Sequence, residues 1–377
     1  MMDVPKRFPG HIGILHGVVA KYRAPVFDQI AERCDKGASV CAGRPLAEEN
    51  IVSAEKLERA TWVEARNRQL LGGPAILYWQ SGVLKWLREY QPDVVIMETN
   101  PRYLSSFLVR SWMHHCKRPV IGWGLGIMPL SKGMLIARGF GRRRFLRSMD
   151  ALVSYSSLGA QQYRELGFPA ERVFTAFNAV THRPQDPAPI RSERQNQPPV
   201  VLFVGRVTEA KRLDLLLRAC ARLPRELQPQ LQIVGEGPVR QELQEIASTV
   251  YPQAKFFGAV HGEELKQIFR AADLFVLPGI GGLAIQEAMT YGLPVVVAEA
   301  DGTQADLVRP ANGWNLVPGD LDALVTTLRE ALSDRQRLRQ MGLESYRIVA
   351  EEVNIEAMVD VFIAAARRVI GLDQAEK

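Results

Sequence analysis

The chain has 377 residues, 47% of them hydrophobic, and a formal net charge of +6. That length suits two domains at roughly 150 residues each, and the composition excludes a disordered or fibrous protein. The charge is uneven: residues 1–190 hold 26 Lys or Arg against 16 Asp or Glu, and residues 191–377 hold 21 against 25.

From the amino end, HIGILHG (11–17) reads as a buried strand and PVFDQIAERC (25–34) as an amphipathic helix. Further strands are expected at 93–99, 119–124, 151–156 and 173–177. LKWLREY, SSFLVRSWMHH and SLGAQQYRELG supply helices between them. Strand alternating with helix implies a parallel sheet covered on both faces, an α/β class. The proline-rich, polar stretch THRPQDPAPIRSERQNQPP (181–199) breaks the pattern and reads as a linker. The alternation then restarts with VVLFVG, LDLLLRACARL, LQIVG and VRQELQEIA and continues through KFFGAV, ELKQIFRAA, LFVLPG, LAIQEAMTYG and PVVVAEA. The apolar last helix, 355–372, starts after the expected cap Asn354 and must pack on something. The domains are therefore drawn at 1–182, 200–352 and 353–377, with a linker at 183–199.

No apolar run approaches the ~20 residues of a membrane span. The four cysteines, Cys34, Cys41, Cys116 and Cys220, show no metal spacing. No signal-peptide pattern follows MMDVPKRFPG, so the expected location is cytoplasmic, peripheral on the inner face of the cell membrane. The basic amino half calls for an anionic partner: a membrane surface, a lipid-linked phosphate or nucleic acid. No nucleic-acid motif is present, so no nucleic-acid partner is expected.

Three stretches carry candidate chemistry. In VLFVGRVTEAKRLDLLL (201–217) a strand ends at Gly205, and Arg206 and Lys211 bracket the turn before a helix. Ligands dock at such carboxyl edges of open α/β sheets. Two cations there suit a diphosphate, Arg as a fork and Lys as a mobile point charge; the plain alternative is two solvated surface charges. In IVGEGPVRQEL (233–243), Gly235, Glu236 and Gly237 form a second strand-turn-helix. Its glycines either make a tight turn or let a nucleotide approach the backbone. In LPGIGGLAIQEAMTYGLPVVV (277–297) a helix opens on Gly281, Gly282 and Leu283, where unpaired N–H groups suit an anion. Glu287 lies one turn deeper on the same face, placed to accept hydroxyls of that ligand.

As an ordered set, these stretches resemble the retaining family-4 (group 1) glycosyltransferases. The amino half resembles them more loosely, through HGVVAKYRAPVFDQIAE, GWGLG and FNAV. The resemblance implies a GT-B fold: two Rossmann-like domains with parallel sheets facing across a cleft, the last helix crossing back to the first domain. It also implies that Arg206 and Lys211 hold the donor diphosphate as the catalytic cations. Gly205, Gly235, Glu236, Gly237, Gly281, Gly282, Leu283 and Glu287 would bind the donor, Glu287 through the ribose diol. The donor would be UDP- or GDP-linked and the acceptor a lipid-linked or saccharide alcohol. No cofactor and no metal are expected, because the cations and the helix start can neutralise the leaving diphosphate.

Two departures qualify the match. The second glutamate that the family usually carries eight residues before Glu287 is here Gly279, and GWGLG offers Leu125 where a histidine is common. His16 is the substitute considered, against a structural role at a strand end. Gly17, Arg23, Asn100 and Trp123 are further acceptor-side candidates, with Tyr22, Glu98 and Arg102 nearby in the same predicted strand ends. Asp320-Leu321-Asp322 reads as a helix cap, not a metal site. KGMLIARGFGRRRFLRSM (132–149), with six basic residues, is expected either on an anionic membrane or as a basic wall meeting a lipid pyrophosphate. Two alternatives stand beside the transferase: a GT-B nucleotide-sugar epimerase, and a non-catalytic nucleotide-sugar-binding protein.

Overall fold

The computed structural model describes residues 6–45, 51–71, 76–127, 135–189 and 197–372, with the backbone alone at 71 and 135–140. The chain divides into two compact units, Met1–Val180 with Ile355–Lys377, and Thr181–Asn354.

The strands of the first unit are β1 (Ile12–Val18), β2 (Ala38–Gly43), β3 (Thr61–Glu64), β4 (Arg66–Leu71), β5 (Leu77–Ser81), β6 (Val94–Glu98), β7 (Val120–Gly124), β8 (Ala151–Ser154) and β9 (Val173–Thr175). Its helices are α1 (Ala24–Glu32), α2 (Val83–Tyr90), α3 (Leu104–His115), α4 (Leu135–Arg147) and α5 (Ser157–Glu165). The sheet runs β3-β2-β1-β6-β7-β8-β9, all parallel, with β4 and β5 forming a separate antiparallel hairpin.

Successive strand residues point to opposite faces. Ile12, Ile14, Val94 and Ile96 accordingly pack with α1 on one side, while Val95, Met97 and Val120 pack with α2 to α5 on the other. Burial on both faces explains the near-continuous apolar runs.

The second unit repeats the plan. Its strands are β10 (Val200–Val204), β11 (Gln230–Val234), β12 (Lys255–Gly258), β13 (Leu274–Leu277), β14 (Val295–Ala298) and β15 (Gly313–Leu316). Its helices are α6 (Leu213–Arg222), α7 (Arg240–Val250), α8 (Gly262–Ala271), α9 (Leu283–Thr290), α10 (Gln304–Leu307), α11 (Leu321–Ser333) and α12 (Arg335–Glu351). The parallel sheet runs β12-β11-β10-β13-β14-β15. Numbered within the unit, that is the doubly wound order 3-2-1-4-5-6.

The chain then returns to the first unit as α13 (Ile355–Val369). Its Met358, Val359, Phe362 and Ile363 complete the core on the α1 side. Each large side chain buried this way contributes about 1.5–3 kcal/mol. Asn354, expected as the cap of this helix, donates its side-chain amide to the Val349 and Ala350 carbonyls at the end of α12. Residues 190–196 of the expected linker lie outside the described residues. Within its described part, the Tyr346 hydroxyl donates to the Asp186 carbonyl.

In each sheet, strand order reverses between the first strand and its other neighbour: β1 beside β6, and β10 beside β13. The crevice outside the carboxyl ends of such a pair is where open α/β sheets bind ligands. The fold thus marks one candidate edge in each unit.

Candidate active site

In the second unit, Gly205 and the exposed Arg206 follow β10 at this switch point, next to the turn that leaves β13. The turn after β10 also runs alongside the turn after β11. Gly205 N donates to Val234 O (3.0 Å) and Val207 N to Glu236 O (2.8 Å). A Cβ at Gly235 would strike the Gly205 carbonyl, and one at Gly237 the Val207 carbonyl. This close approach of two turns gives both glycines a reason internal to the fold. Glu236 accepts from Arg240 Nη1 at 2.6 Å, one helical turn on.

Lys211, expected to be a mobile charge, is docked. Its half-buried Nζ donates to the Ile280 carbonyl, while Ile280 N donates to Ala210 O at 2.8 Å. Burial holds its ammonium below the ordinary lysine range. Gly281 has φ +146°, a backbone conformation that favours glycine, and a Cβ there would collide with Lys211 Nζ. Helix α9 starts after Gly282 with no side-chain cap and no acidic residue in its first turn. Among the described residues, the N–H groups of Gly281, Gly282, Leu283 and Ala284 have no acceptor. Such a start attracts an anion. Glu287, a turn deeper, is half-buried, and burial raises its carboxyl above the usual glutamate range.

In the first unit, the carboxyl ends of β1, β6, β7 and β8 gather a different set. His16 Nδ1 lies 2.9 Å from the Val18 carbonyl, and its Nε2 is 3.2 Å from Glu98 Oε1 without hydrogen-bond alignment. Burial is the main influence and holds the imidazole below its ordinary value, Glu98 pulling it up and Arg23 pushing it down. Arg23, only 4% exposed, donates to Asn178 Oδ1 (2.7 Å) and Met358 Sδ (3.8 Å). Its guanidinium lies 5.2, 5.2 and 5.6 Å from the rings of Tyr22, Trp123 and Tyr155, a cation–π cage.

Trp123 is 1% exposed, wedged between His16, Tyr155 and Phe362, so it forms the floor of this edge. Gly17 N donates to Glu98 Oε2 (3.1 Å), and Tyr103 occupies the space a Cβ would need. Asn100 Oδ1 accepts from Arg102 N (3.1 Å) and so initiates a turn after β6. Tyr155 and Asn178, neighbours of Arg23, are not among the residues expected at this edge, although Asn178 lies within the FNAV stretch and both follow strand ends.

Of the basic stretch 132–149, residues 132–134 lie outside the described residues. Farther on, Phe145, Leu146 and Met149 are buried in the first unit's core, and Arg142 Nη2 donates to the Gly126 carbonyl (2.8 Å). The apolar side chains of that portion therefore turn inward.

Asp320 is the N-cap of α11, accepting from Ala323 N (2.9 Å), and Asp322 pairs with Arg222 at 2.9 Å. The helix-cap reading of Asp-Leu-Asp stands. Asp320→Ala should lower stability by about 0.5–2 kcal/mol, seen as a lower melting temperature, with no change in the response of activity to divalent cations or chelator.

Comparison with known proteins identifies the family and the fold. The family model of glycosyl transferases group 1 matches residues 185–347, and that of the glycosyl transferase 4-like domain matches residues 28–179. The chain is 34% identical over 158 residues to a sulfoquinovosyl transferase of Arabidopsis thaliana, covering 40% of this chain and 30% of that protein. It is 29% identical to a D-inositol 3-phosphate glycosyltransferase of Nocardia farcinica, over 71% of this chain and 60% of the relative. It thus spans from about a third to 60% of the length of these relatives. The structure of a lipopolysaccharide outer core galactosyltransferase superposes with TM-score 0.70 at 17% identity, over 94% of this chain and 98% of that one. The two family matches cover the cores of both units, and the chain belongs to the group 1 glycosyltransferases of the GT-B fold.

Proposed function

We propose that the protein transfers a hexose-type sugar, with retention, from a UDP- or GDP-linked donor to a lipid-linked or saccharide acceptor in polysaccharide or glycolipid biosynthesis. The observation that carries this reading is the β10/β13 switch point. There, two cations, an uncapped helix start and a carboxylate one turn deeper come from separate stretches of one unit.

In this reading, the bond between the anomeric carbon and the diphosphate oxygen breaks, and its electron pair leaves with the diphosphate. Arg206, Lys211 and the N–H groups opening α9 stabilise that charge. Each well-placed donor of this kind is worth roughly 2.7–4 kcal/mol in the transition state. The acceptor oxygen bonds to the anomeric carbon on the same face and gives its proton to the departing phosphate oxygen. Glu287 holds the ribose diol. The acceptor is assigned to the first unit's edge at His16, Gly17, Arg23 and Trp123, with Asn100 in the adjoining turn. This chemistry requires no metal or other cofactor. The excess of Lys and Arg in residues 1–190 suits attachment to the anionic inner face of a membrane. No helix among the described residues is long and apolar enough to cross one.

The test is a panel of UDP- and GDP-sugars. The true donor should raise the melting temperature, because a ligand that binds only the native state stabilises it, and should be consumed when an acceptor is added. Stabilisation without consumption would instead identify a binding protein.

Glu287 makes this test pH-dependent. Ribose hydroxyls need the ionised carboxylate, so donor binding should fade on acidification at a higher pH than an ordinary glutamate would give. A raised folded-state pKa contributes stability that is present at low pH and lost as pH rises through that value. Glu287→Gln should therefore raise the melting temperature at neutral pH, weaken donor binding and flatten its acid limb. Titration of donor affinity against pH for both proteins checks it; identical acid limbs would remove Glu287 from the ribose.

A further inference from the structure

Gln304, at the start of α10, is 1% exposed and belongs to none of the motifs above. Its Oε1 accepts from Ala300 N (3.3 Å) and Asp301 N (3.2 Å), and its Nε2 donates to the Gly281 carbonyl (3.2 Å). One buried amide therefore ties the loop after β14 to the glycine turn after β13.

The consequence follows from peptide geometry. In a planar trans peptide, the carbonyl and the following N–H point in opposite directions, and the chain contains no cis bond among its described residues. Drawing the Gly281 carbonyl toward buried Gln304 therefore turns the Gly282 N–H, at the residue just before α9, away from Gln304. Without that tether, Gly281 and Gly282 have no side chains of their own to fix this plane. Glycine's wide conformational range would let it rotate.

We propose that Gln304 is a positioning residue for the donor phosphates, holding the 281–282 peptide so that its N–H meets the anion. This rests on the donor-site reading above. It predicts that a residue touching no ligand sets donor affinity, with the acceptor unaffected.

Gln304→Leu removes both halves of the tether at similar volume. Gln304→Glu keeps acceptors for Ala300 and Asp301 but sets a carboxylate against the Gly281 carbonyl. Both should weaken UDP or GDP binding, measured by calorimetry, about ten-fold, and raise the donor KM alike with the acceptor KM unchanged.

Asn312 provides the control. It is equally buried in the same unit, with Nδ2 on Leu307 O (3.1 Å) and Ser345 Oγ (3.2 Å) and Oδ1 on Arg309 N (2.7 Å). Asn312→Ala should lower the melting temperature without changing nucleotide affinity. Wild-type affinity in a folded Gln304→Leu or Gln304→Glu protein overturns the proposal, as does an equal loss of affinity in Asn312→Ala. Should the leucine variant not fold, the glutamate variant decides. If the wild-type protein binds neither UDP nor GDP, the donor-site reading itself fails and takes this inference with it. If it binds and the variants match it, only the inference fails.

Discussion

Arg206→Ala should cut sugar transfer by about 100- to 1,000-fold, the range seen when one preorganised charge donor is removed from a developing anion. The melting temperature should barely move. Arg206 is exposed at the end of β10, and exposed substitutions usually stay within about 0.5 kcal/mol. Arg206→Lys keeps the charge but loses the planar fork, so it should fall between the two. The check is kcat with saturating donor and acceptor beside a melting curve. Undiminished turnover in a folded alanine variant would refute the transferase assignment at this edge.

The second large effect runs against the family pattern. Gly279→Glu would restore the acid that related enzymes usually carry, yet it should damage this protein. A Cβ at Gly279 points into backbone: it would strike the Ala210 carbonyl and lie only 2.6 Å from Lys211 Cα. Those atoms cannot swing aside as a side-chain tip could, because Ile280 N already holds Ala210 O at 2.8 Å. Overpacking of this kind costs about 1–3 kcal/mol or more, which is roughly 3–10 °C for a unit of this size. Activity should fall too, since relief requires moving the turn that carries Lys211. Gly279→Ala isolates the collision from the charge and should show most of the loss in melting temperature. A neutral alanine variant would disprove the packing argument, and a gain of activity in Gly279→Glu would show that the acid is merely missing.

The parts of this molecule that were legible in its sequence are those whose cause is local. Runs such as VVLFV and VVVA announce strands buried on both faces, and Gly281-Gly282 followed by an apolar periodic stretch announces α9. The hairpin β4–β5 went unread because Arg66–Leu71 is polar and has no apolar alternation, and β2 because ASVCAG is made of small residues. At the site, the cations and the helix start could be read from spacing. Gln304 could not, since its partners lie 3 to 23 residues away and meet only through the sheet order. Likewise, nothing in the letters shows that Gly279, Gly235 and Gly237 owe their identity to neighbouring turns of this same chain.

The return of α13 to the first unit separates the order of synthesis from the order of completion. Residues 181–354 form an uninterrupted stretch and can close their core as they leave the ribosome, the usual course for a domain folding as a unit. The first unit emerges earlier but must wait. Until Met358, Val359, Phe362 and Ile363 arrive, the side of α1 and the part of the sheet near β8 and β9 that they cover are exposed to water, and Arg23 lacks its Met358 partner. The half made first is thus the half finished last.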